Sequence, residues 1–458
     1  MTDLHVTDLH VTDLGWLDPA ATFARFAGEP GLCLLDSAME HPTLGRYSYL
    51  ATDPVATVRV ERGRLLWNGE PCAGPPLAAL RARLAPFRRP ARAGLPPFQG
   101  GAAGFFAYEF AGCLERLPAP AVAAPGPQAA FGVYDRVIAW DHVTRETRLV
   151  STGTRARHEA LLARLAAPPP PAPPRGNGPD WQAEGTRAGH EAAVRRTIDY
   201  VLAGDIFQAN IARRFTARLP AAFSPAGYYL ELRRANPAPF SACLDFGDVA
   251  IASSSPERFL RLDGTRIEAR PIKGTMPRSA DPAQDAAAAA ALAASAKDRA
   301  ENVMIVDLMR NDLSRVAVPA SVRVPVLCGV ESYAGLHHLV SAVTADLAPG
   351  KDGLDLLAAA FPGGSVTGAP KLRAMEIITE LEGHGRGPYC GSIGWIGFDG
   401  SFDFNIAIRT VTFTGDTAVF QTGGGITALS DPAAEFDETV TKASRILAAA
   451  RRPGVQAP

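Results

Sequence analysis

One amine and a small set of carboxylates carry the chemistry this sequence can offer. Lys273 lies in ARPIKGTMPR (269–278), where Pro271, Gly274 and Pro277 impose a rigid, turn-rich backbone around a single amine. A lysine held at a strand end and withdrawn from water can act as a nucleophile, whereas an ordinary lysine is only a solvated charge. The run DRAENVMIVDLMRND (298–312) spaces Glu301, Ile305, Leu308 and Asp312 at helical intervals, so Glu301 projects from a face mixing buried and polar groups. Near the C-terminus, Asp431 and Pro432 open a helix that carries Glu435, Glu438, Lys442 and Arg445 on one stripe. Phe436, Val440, Ala443, Ile446 and Leu447 supply the opposite, buried face, so spacing alone describes a surface helix with Glu-to-Lys pairing. Convergence of Glu301 and Glu438 would change that. Two hard carboxylates, with water and a substrate carboxylate, suit magnesium, which rarely receives an all-protein cage.

Two glycine-rich turns invite a phosphate-binding reading. In FPGGSVTGAPKLRAMEII (361–378) the residue after Gly368 is Ala369, where a phosphate loop requires lysine, so that spacing is not met. TGGGIT (422–427) follows a strand-like run, and its glycines either admit an anion close to backbone N–H groups or simply form a tight turn. No dinucleotide fingerprint is present.

The elements that must position these residues fall into four stretches. Residues 1–14 contain a nearly exact VTDLH repeat, too short to bury a face, and are expected to be a disordered tail. Residues 15–166 alternate short apolar runs such as ATVRV, AAGFFAYEF and VYDRVIAW with Gly and Pro, as an antiparallel, strand-rich N-terminal lobe would. Stacked prolines at 167–180 read as an extended linker. In 181–452, helical patterns at 188–203, 298–313 and 432–450 interleave with strand-like runs including VAIASS, GSIGWIGF and IAIRTVTF, and this stretch carries almost every chemical signal. The Ala-rich segment 283–296 is expected to be an ordinary surface helix. The expected class is α+β, a large two-lobed body with antiparallel sheets flanked by helices.

Composition excludes several functions. Lys plus Arg (46) nearly cancel Asp plus Glu (47), leaving a formal charge of -1 and no general attraction to nucleic acid or anionic membrane. The six cysteines form no CxxC pair, so neither a zinc site nor a disulfide framework is indicated. With no membrane span and no secretory signal in view, a cytoplasmic protein acting on a small molecule is expected.

In order along the chain, GDIFQANIARRF, SSSPERFL, PIKGTMPR, DRAENVMIVDLMRNDLSRVA, HHLVS, FPGGSVTGAPKLRAMEII, CGSIGW, IAIRT and AEFDET resemble the chorismate-utilising enzyme family, densely over about 190–450. Two positions bear on the reaction that this resemblance implies. Gln208 stands where the isochorismate-type members carry a water-activating lysine, so the likeness is to the branches that use ammonia. With no glutaminase motif in this chain, the resemblance implies a separate glutamine amidotransferase partner. Lys273 stands in PIKGT, whereas anthranilate synthases resemble PIAGT at this site, so the implied product is 4-amino-4-deoxychorismate, a precursor in p-aminobenzoate and folate biosynthesis. A para amine requires two successive allylic displacements, and a covalent lysine intermediate divides the substitution accordingly.

The family's motifs imply the remaining roles. Glu257 resembles the general acid for the departing hydroxyl, and His338 the active-site histidine. Asn210, Gly274, Thr275, Tyr389, Arg409, Gly424, Gly425 and Lys442 resemble the groups that place chorismate and its two carboxylates. Glu301 and Glu438 resemble magnesium ligands, with Glu435 as an accessory carboxylate. Leu429 departs from the aspartate common after the glycine turn, which bears on local loop detail. In the N-terminal stretch, Leu35, Asp36 and Ser37 of LLDS, with Pro239 and Phe240 of NPAPF, resemble the family's tryptophan pocket. A bound tryptophan, an empty relic and a plain strand with its turn all stay open there. Anthranilate synthesis is the competing enzymatic reading. A non-catalytic tryptophan-binding subunit would have lost one or more of Glu257, Lys273, Glu301 and Glu438, and all four are present.

Overall fold

The strand Val249–Ser255 shows why this chain builds two sheets. Val249 and Ile251 enter one apolar layer and Ala250 and Ala252 another, the alternation of a strand covered on both faces. The computed structural model describes residues 9–39, 44–171, 178–332 and 336–449, and contains two antiparallel sheets of twelve strands each. Their inner faces share one apolar layer, to which the first sheet gives Tyr49, Leu244 and Ile251 and the second gives Phe105, Tyr134 and Trp395. Helices cover the outer faces: Pro225–Ala235 and Pro432–Ala449 on the first, Ala296–Ser314 and Gly353–Ala360 on the second. The expected α+β class, with antiparallel sheets flanked by helices, is what the chain adopts.

The sequence halves do not correspond to separate lobes. In the first sheet, five strands from the N-terminal stretch end at Leu32–Asp36, which pairs with Phe240–Asp245; Val249–Ser255, Thr410–Thr414, Thr417–Ile426 and Gln208–Arg218 continue it. The second sheet repeats this arrangement, with Gly101–Phe106 of the N-terminal stretch paired to Ser392–Gly397. Each sheet is therefore completed by the other half of the chain, and the proline-rich stretch 167–180 joins strands of one body instead of bounding two. Residues 172–177 of that stretch lie outside the described residues.

The tail expectation also changes. His10–Asp13 is an edge strand paired to Glu146–Ser151, and Thr12 Oγ1 lies 2.8 Å from His158 Nε2. The β-branched Val11 and Thr12 suit a pleated edge, so the second half of the repeat is ordered, while residues 1–8 lie outside the described residues. The three helices anticipated over 188–203, 298–313 and 432–450 are present as Arg187–Leu202, Ala296–Ser314 and Pro432–Ala449, and the Ala-rich segment forms Pro282–Ala294. Ser295 and Asp281 accept backbone N–H groups at two of these helix starts, meeting donors the helix itself leaves unpaired. Among the described residues, no helix is long and apolar enough to cross a membrane.

Candidate active site

The amine, the carboxylates and the glycine turn meet where the strands Gln208–Arg218, Thr417–Ile426 and Ile272–Pro277 approach the helices Ala296–Ser314 and Pro432–Ala449. Gln208–Arg218 and Thr417–Ile426 run antiparallel through ten paired positions, with Asn210 opposite Gly425 and Ile211 opposite Gly424. The three glycines answer different needs. A Cβ on Gly423 would strike the Ile211 carbonyl across the ladder; one on Gly424 would stand 2.9 Å from Glu435 Oε2; one on Gly425 would collide with Gln208 Nε2 and stand 3.2 Å from Lys273 Nζ. The turn is thus a junction between the carboxylate helix on one side and the amine on the other.

Lys273 owes its aim to a bulge. Its strand pairs with Leu336–Asp346, Lys273 opposite Leu339 and Thr275 opposite His338, and the register shifts between them at Gly274, whose φ is +76°. A side chain on Gly274 would also press on Asp298 and Leu292. Lys273 Nζ is 3.7 Å from Glu301 Oε2, with side chains only 14 % and 12 % exposed. Gln208 is fully buried, and neither atom of its amide has a protein hydrogen-bond partner among the described residues; the same is true of Asn210 Oδ1. Buried amide atoms left this way cost about 1–3 kcal/mol each, a cost that a polar molecule entering the site relieves.

Glu257 sits at the end of Val249–Ser255, buried. Burial raises its carboxyl to about 7 against the opposing pull of Ser365, Lys273, the Ile272 N–H and Arg409. It can therefore hold a proton near neutrality and release it. His338 moves the other way: burial and then Arg409 depress it to about 4, so its ring is neutral at pH 7, with Nδ1 2.9 Å from Thr275 Oγ1. Arg409 has φ +52°, a left-handed conformation costing roughly 1 kcal/mol, and burial followed by Arg445 lowers it to about 10. Tyr389 is buried, which pushes its phenol well above the usual range.

Three carboxylates and three lysines interleave nearby. Glu435 accepts from Ser430 Oγ (2.7 Å) and lies 3.6 Å from Lys297 Nζ; Glu438 pairs with Lys442 at 2.6 Å; Lys442 also donates to the Gly423 carbonyl. Burial lifts Glu301 against the pull of Lys273 and Lys297. Burial also opposes charge on Glu438, but Lys442, Lys297 and Lys273 together hold it below the ordinary carboxylate range. Glu301 also feels the charge of Glu435, so the two carboxylates belong to one electrostatic cluster. Among the described residues no three or more His, Cys, Asp or Glu side chains form a closed metal cage. These hard oxygens suit an ion that keeps water and substrate oxygens among its ligands.

Sequence reasoning misjudged one helix and missed two side chains. On Pro432–Ala449 the buried line is Glu435, Thr439, Ala443 and Ile446, while Val440 is 47 % exposed. Glu435 therefore lies inside the body and not on a solvated stripe. Ser365, which hydrogen-bonds Glu257, and Lys297, which faces Glu435, were not foreseen. Ser365 was within view, in a glycine-rich segment weighed as a phosphate loop and quoted for the family resemblance without a role for the serine. Leu429 is 83 % exposed.

The second candidate pocket also assembles, but its polar groups serve each other. Asp36, with a side chain 0 % exposed, accepts from Tyr229 Oη (2.7 Å) and Arg233 Nε (2.6 Å) on one oxygen and from Ser48 Oγ (3.1 Å) on the other. Ser37 Oγ donates to the Tyr47 carbonyl (2.6 Å), with the Pro239 carbonyl at 3.3 Å. Leu35 pairs with Ala242, and Phe240 lies under the Arg258 guanidinium. This corner is a joint between the two halves of the chain.

A family model described as chorismate binding enzyme matches residues 33–448. The chain is 44 % identical over 442 residues to aminodeoxychorismate synthase component 1 of Klebsiella aerogenes, covering 94 % of this chain and 97 % of that one. It is 40 % identical over 460 residues to anthranilate synthase component 1 of Streptomyces coelicolor, covering 95 % and 87 %. Among solved structures, anthranilate synthase component I from Streptococcus pneumoniae TIGR4 superposes with a TM-score of 0.79 at 31 % identity, covering 89 % and 93 %.

Gly425→Ala tests the junction directly. The added methyl displaces Gln208 and crowds Lys273, so turnover should fall by at least about 100-fold while the far-ultraviolet circular dichroism stays native. Wild-type turnover in that variant would mean the amide and the amine do not share the site.

Proposed function

The chain belongs to the chorismate binding enzyme family, and we propose that it converts chorismate and ammonia to 4-amino-4-deoxychorismate through a covalent bond to Lys273. The observation that carries this reading is a shielded amine on a bulged strand, beside a buried amide at Gln208 and within the field of the protonatable Glu257. Names of relatives as component 1 support a partner subunit, which we take to be a glutamine amidotransferase delivering ammonia.

In the first step the Lys273 nitrogen adds through its lone pair to C2 of chorismate. Both conjugated ring double bonds shift by one position and the C4–oxygen bond breaks. Glu257, protonated because burial holds it near 7, gives its proton to the departing hydroxyl, which leaves as water. In the second step ammonia adds at C4, both double bonds return, and the bond between C2 and the lysine nitrogen breaks. The new C4 amine retains the ammonia protons as an ammonium group, the lysine leaves neutral, and Glu257 regains a proton from solvent. Neutral His338 and Thr275 orient the substrate beside the amine, while Arg409, Tyr389, Lys442 and the Gly424–Gly425 backbone hold its carboxylates. Magnesium held by Glu301 and Glu438, with Glu435 alongside, would supply positive charge against a substrate carboxylate.

Three experiments test this. Incubation with chorismate in the absence of ammonia should add mass to the peptide containing PIKGT, and Lys273→Ala should lose both that adduct and most 4-amino product. Residual ammonia addition in the variant should shift to C2; normal 4-amino turnover would refute the covalent step, and an ortho product from the wild type would favour anthranilate formation. Because the acid must be protonated, kcat/KM should fall as pH rises through about 7, a limb that Glu257→Gln removes together with most activity. Glu438→Gln should abolish turnover and the heat of magnesium binding by calorimetry without changing the melting temperature by more than a few degrees.

A further inference from the structure

Arg386 has no part in those steps, yet its guanidinium is bonded to the backbone of Asn210 and of Val366, the residue after Ser365. The side chains of Arg386 and Glu382 are 1 % and 2 % exposed, and they pair through Nη2 to Oε1 (2.7 Å) and Nε to Oε2 (3.0 Å). Nη2 also donates to the Asn210 carbonyl (2.7 Å), and Nη1 to the Val366 carbonyl (3.0 Å). Glu382 Oε1 receives the Ala212 N–H at 2.8 Å. One ion pair thereby fixes the strand carrying Asn210 and the loop carrying Ser365, the hydrogen-bond partner of Glu257.

The pair is itself held from the N-terminal half. Glu109 accepts the N–H groups of Arg386 (2.6 Å) and Gly387 (3.0 Å), and Gln421 Nε2 donates to the Arg386 carbonyl (2.9 Å). The guanidinium lies over the rings of both Tyr108 and Tyr389, 4.7 and 5.7 Å from their centroids. A buried pair bonded only to itself is weak evidence for stability, since desolvation offsets most of the attraction. Here the additional donors go to the backbone carbonyls of Asn210 and Val366, in two segments that also meet directly where the Asn210 N–H donates to the Thr367 carbonyl (2.8 Å). Fork geometry is needed, which an ammonium cannot supply.

We propose that Glu382 and Arg386, clamped by Glu109, form a positioning device that braces the seam between the Asn210 strand and the loop that orients the Glu257 acid. The proposal rests on the reaction assigned above only in using Glu257 as the acid.

Arg386→Lys keeps the charge and removes the fork; Glu109→Gln keeps the shape and weakens the clamp should the lysine variant fail to fold. Arg136→Lys serves as a control, since Arg136 is equally buried but pairs with Asp53 and Asp135, away from the site. At matched melting temperature, Arg386→Lys should lose about 100-fold in kcat/KM and bind chorismate several-fold more weakly by tryptophan fluorescence, while the control keeps both. The sharper readout is the alkaline limb of the pH profile. Glu257 faces Lys273, Arg409, Cys390, the Ile272 N–H and Ser365, and only Ser365 sits on the clamped loop. Loosening it removes a bond that stabilises the charged carboxylate, so the limb should move upward by about half a unit in both variants. An unmoved limb, or an equal loss in the control, would overturn the proposal. Should the wild type give another product from chorismate, the reading of the reaction fails, and the same shifts measured on that product still decide the positioning role.

Discussion

The ladder between Gln208–Arg218 and Thr417–Ile426 is the constraint on which the rest of the site depends. Antiparallel strands hold their backbones about 5 Å apart, and the glycines at 423 to 425 bare one of them at the end where substrate chemistry is assigned. Gly423 has no room for a Cβ against the Ile211 carbonyl, so the ladder cannot continue with any larger residue there. Because the ladder fixes Asn210 opposite Gly425, it also fixes where the amide of Gln208 meets the amine of Lys273. The following helix Pro432–Ala449 then starts within a few residues, which delivers Glu435 and Glu438 to the opposite side of the same turn.

Charge is balanced locally around that turn. Each of three carboxylates has a lysine within ion-pair distance: Glu301 with Lys273, Glu435 with Lys297, Glu438 with Lys442. Unpaired, any of these buried or half-buried carboxylates would lose its charge or its place, since isolated ions are costly to withdraw from water. Among the described residues Glu257 has no close ion-pair partner, and burial accordingly dominates its behaviour. Two behaviours result: Glu438 is held below the ordinary carboxylate range by its lysines, and Glu257 is lifted to about 7 by burial.

Much of this was legible in the sequence because it is local. The constrained backbone around Lys273 follows from Pro271, Gly274 and Pro277, although not its form as a bulge, and the helices carrying Glu301 and Glu438 follow from their periodicity. What was not legible is which strand lies beside which. The same alternation predicts Leu32–Asp36 as a strand without saying that Phe240–Asp245 is its neighbour, so the apparent lobes dissolved into shared sheets. The face of Pro432–Ala449 was misread for a related reason: the helix packs across a strand and two other helices, burying Glu435 and exposing Val440, and this docking geometry is absent from the helix's own pattern. Ser365 escaped notice because its role comes from a contact with Glu257, more than a hundred positions earlier.

The sharing of both sheets between the two ends of the chain has a consequence for synthesis. When the first 166 residues have left the ribosome, they hold roughly half of each sheet, with open edges at Leu32–Asp36 and Gly101–Phe106. Neither edge has its partner until Phe240–Asp245 and, much later, Ser392–Gly397 emerge. Open apolar edges recruit other chains, and contacts this distant in sequence form slowly. For most of its translation the nascent polypeptide is an unfinished template, and its yield in a cell depends on how long those two edges can be kept from pairing with a neighbour.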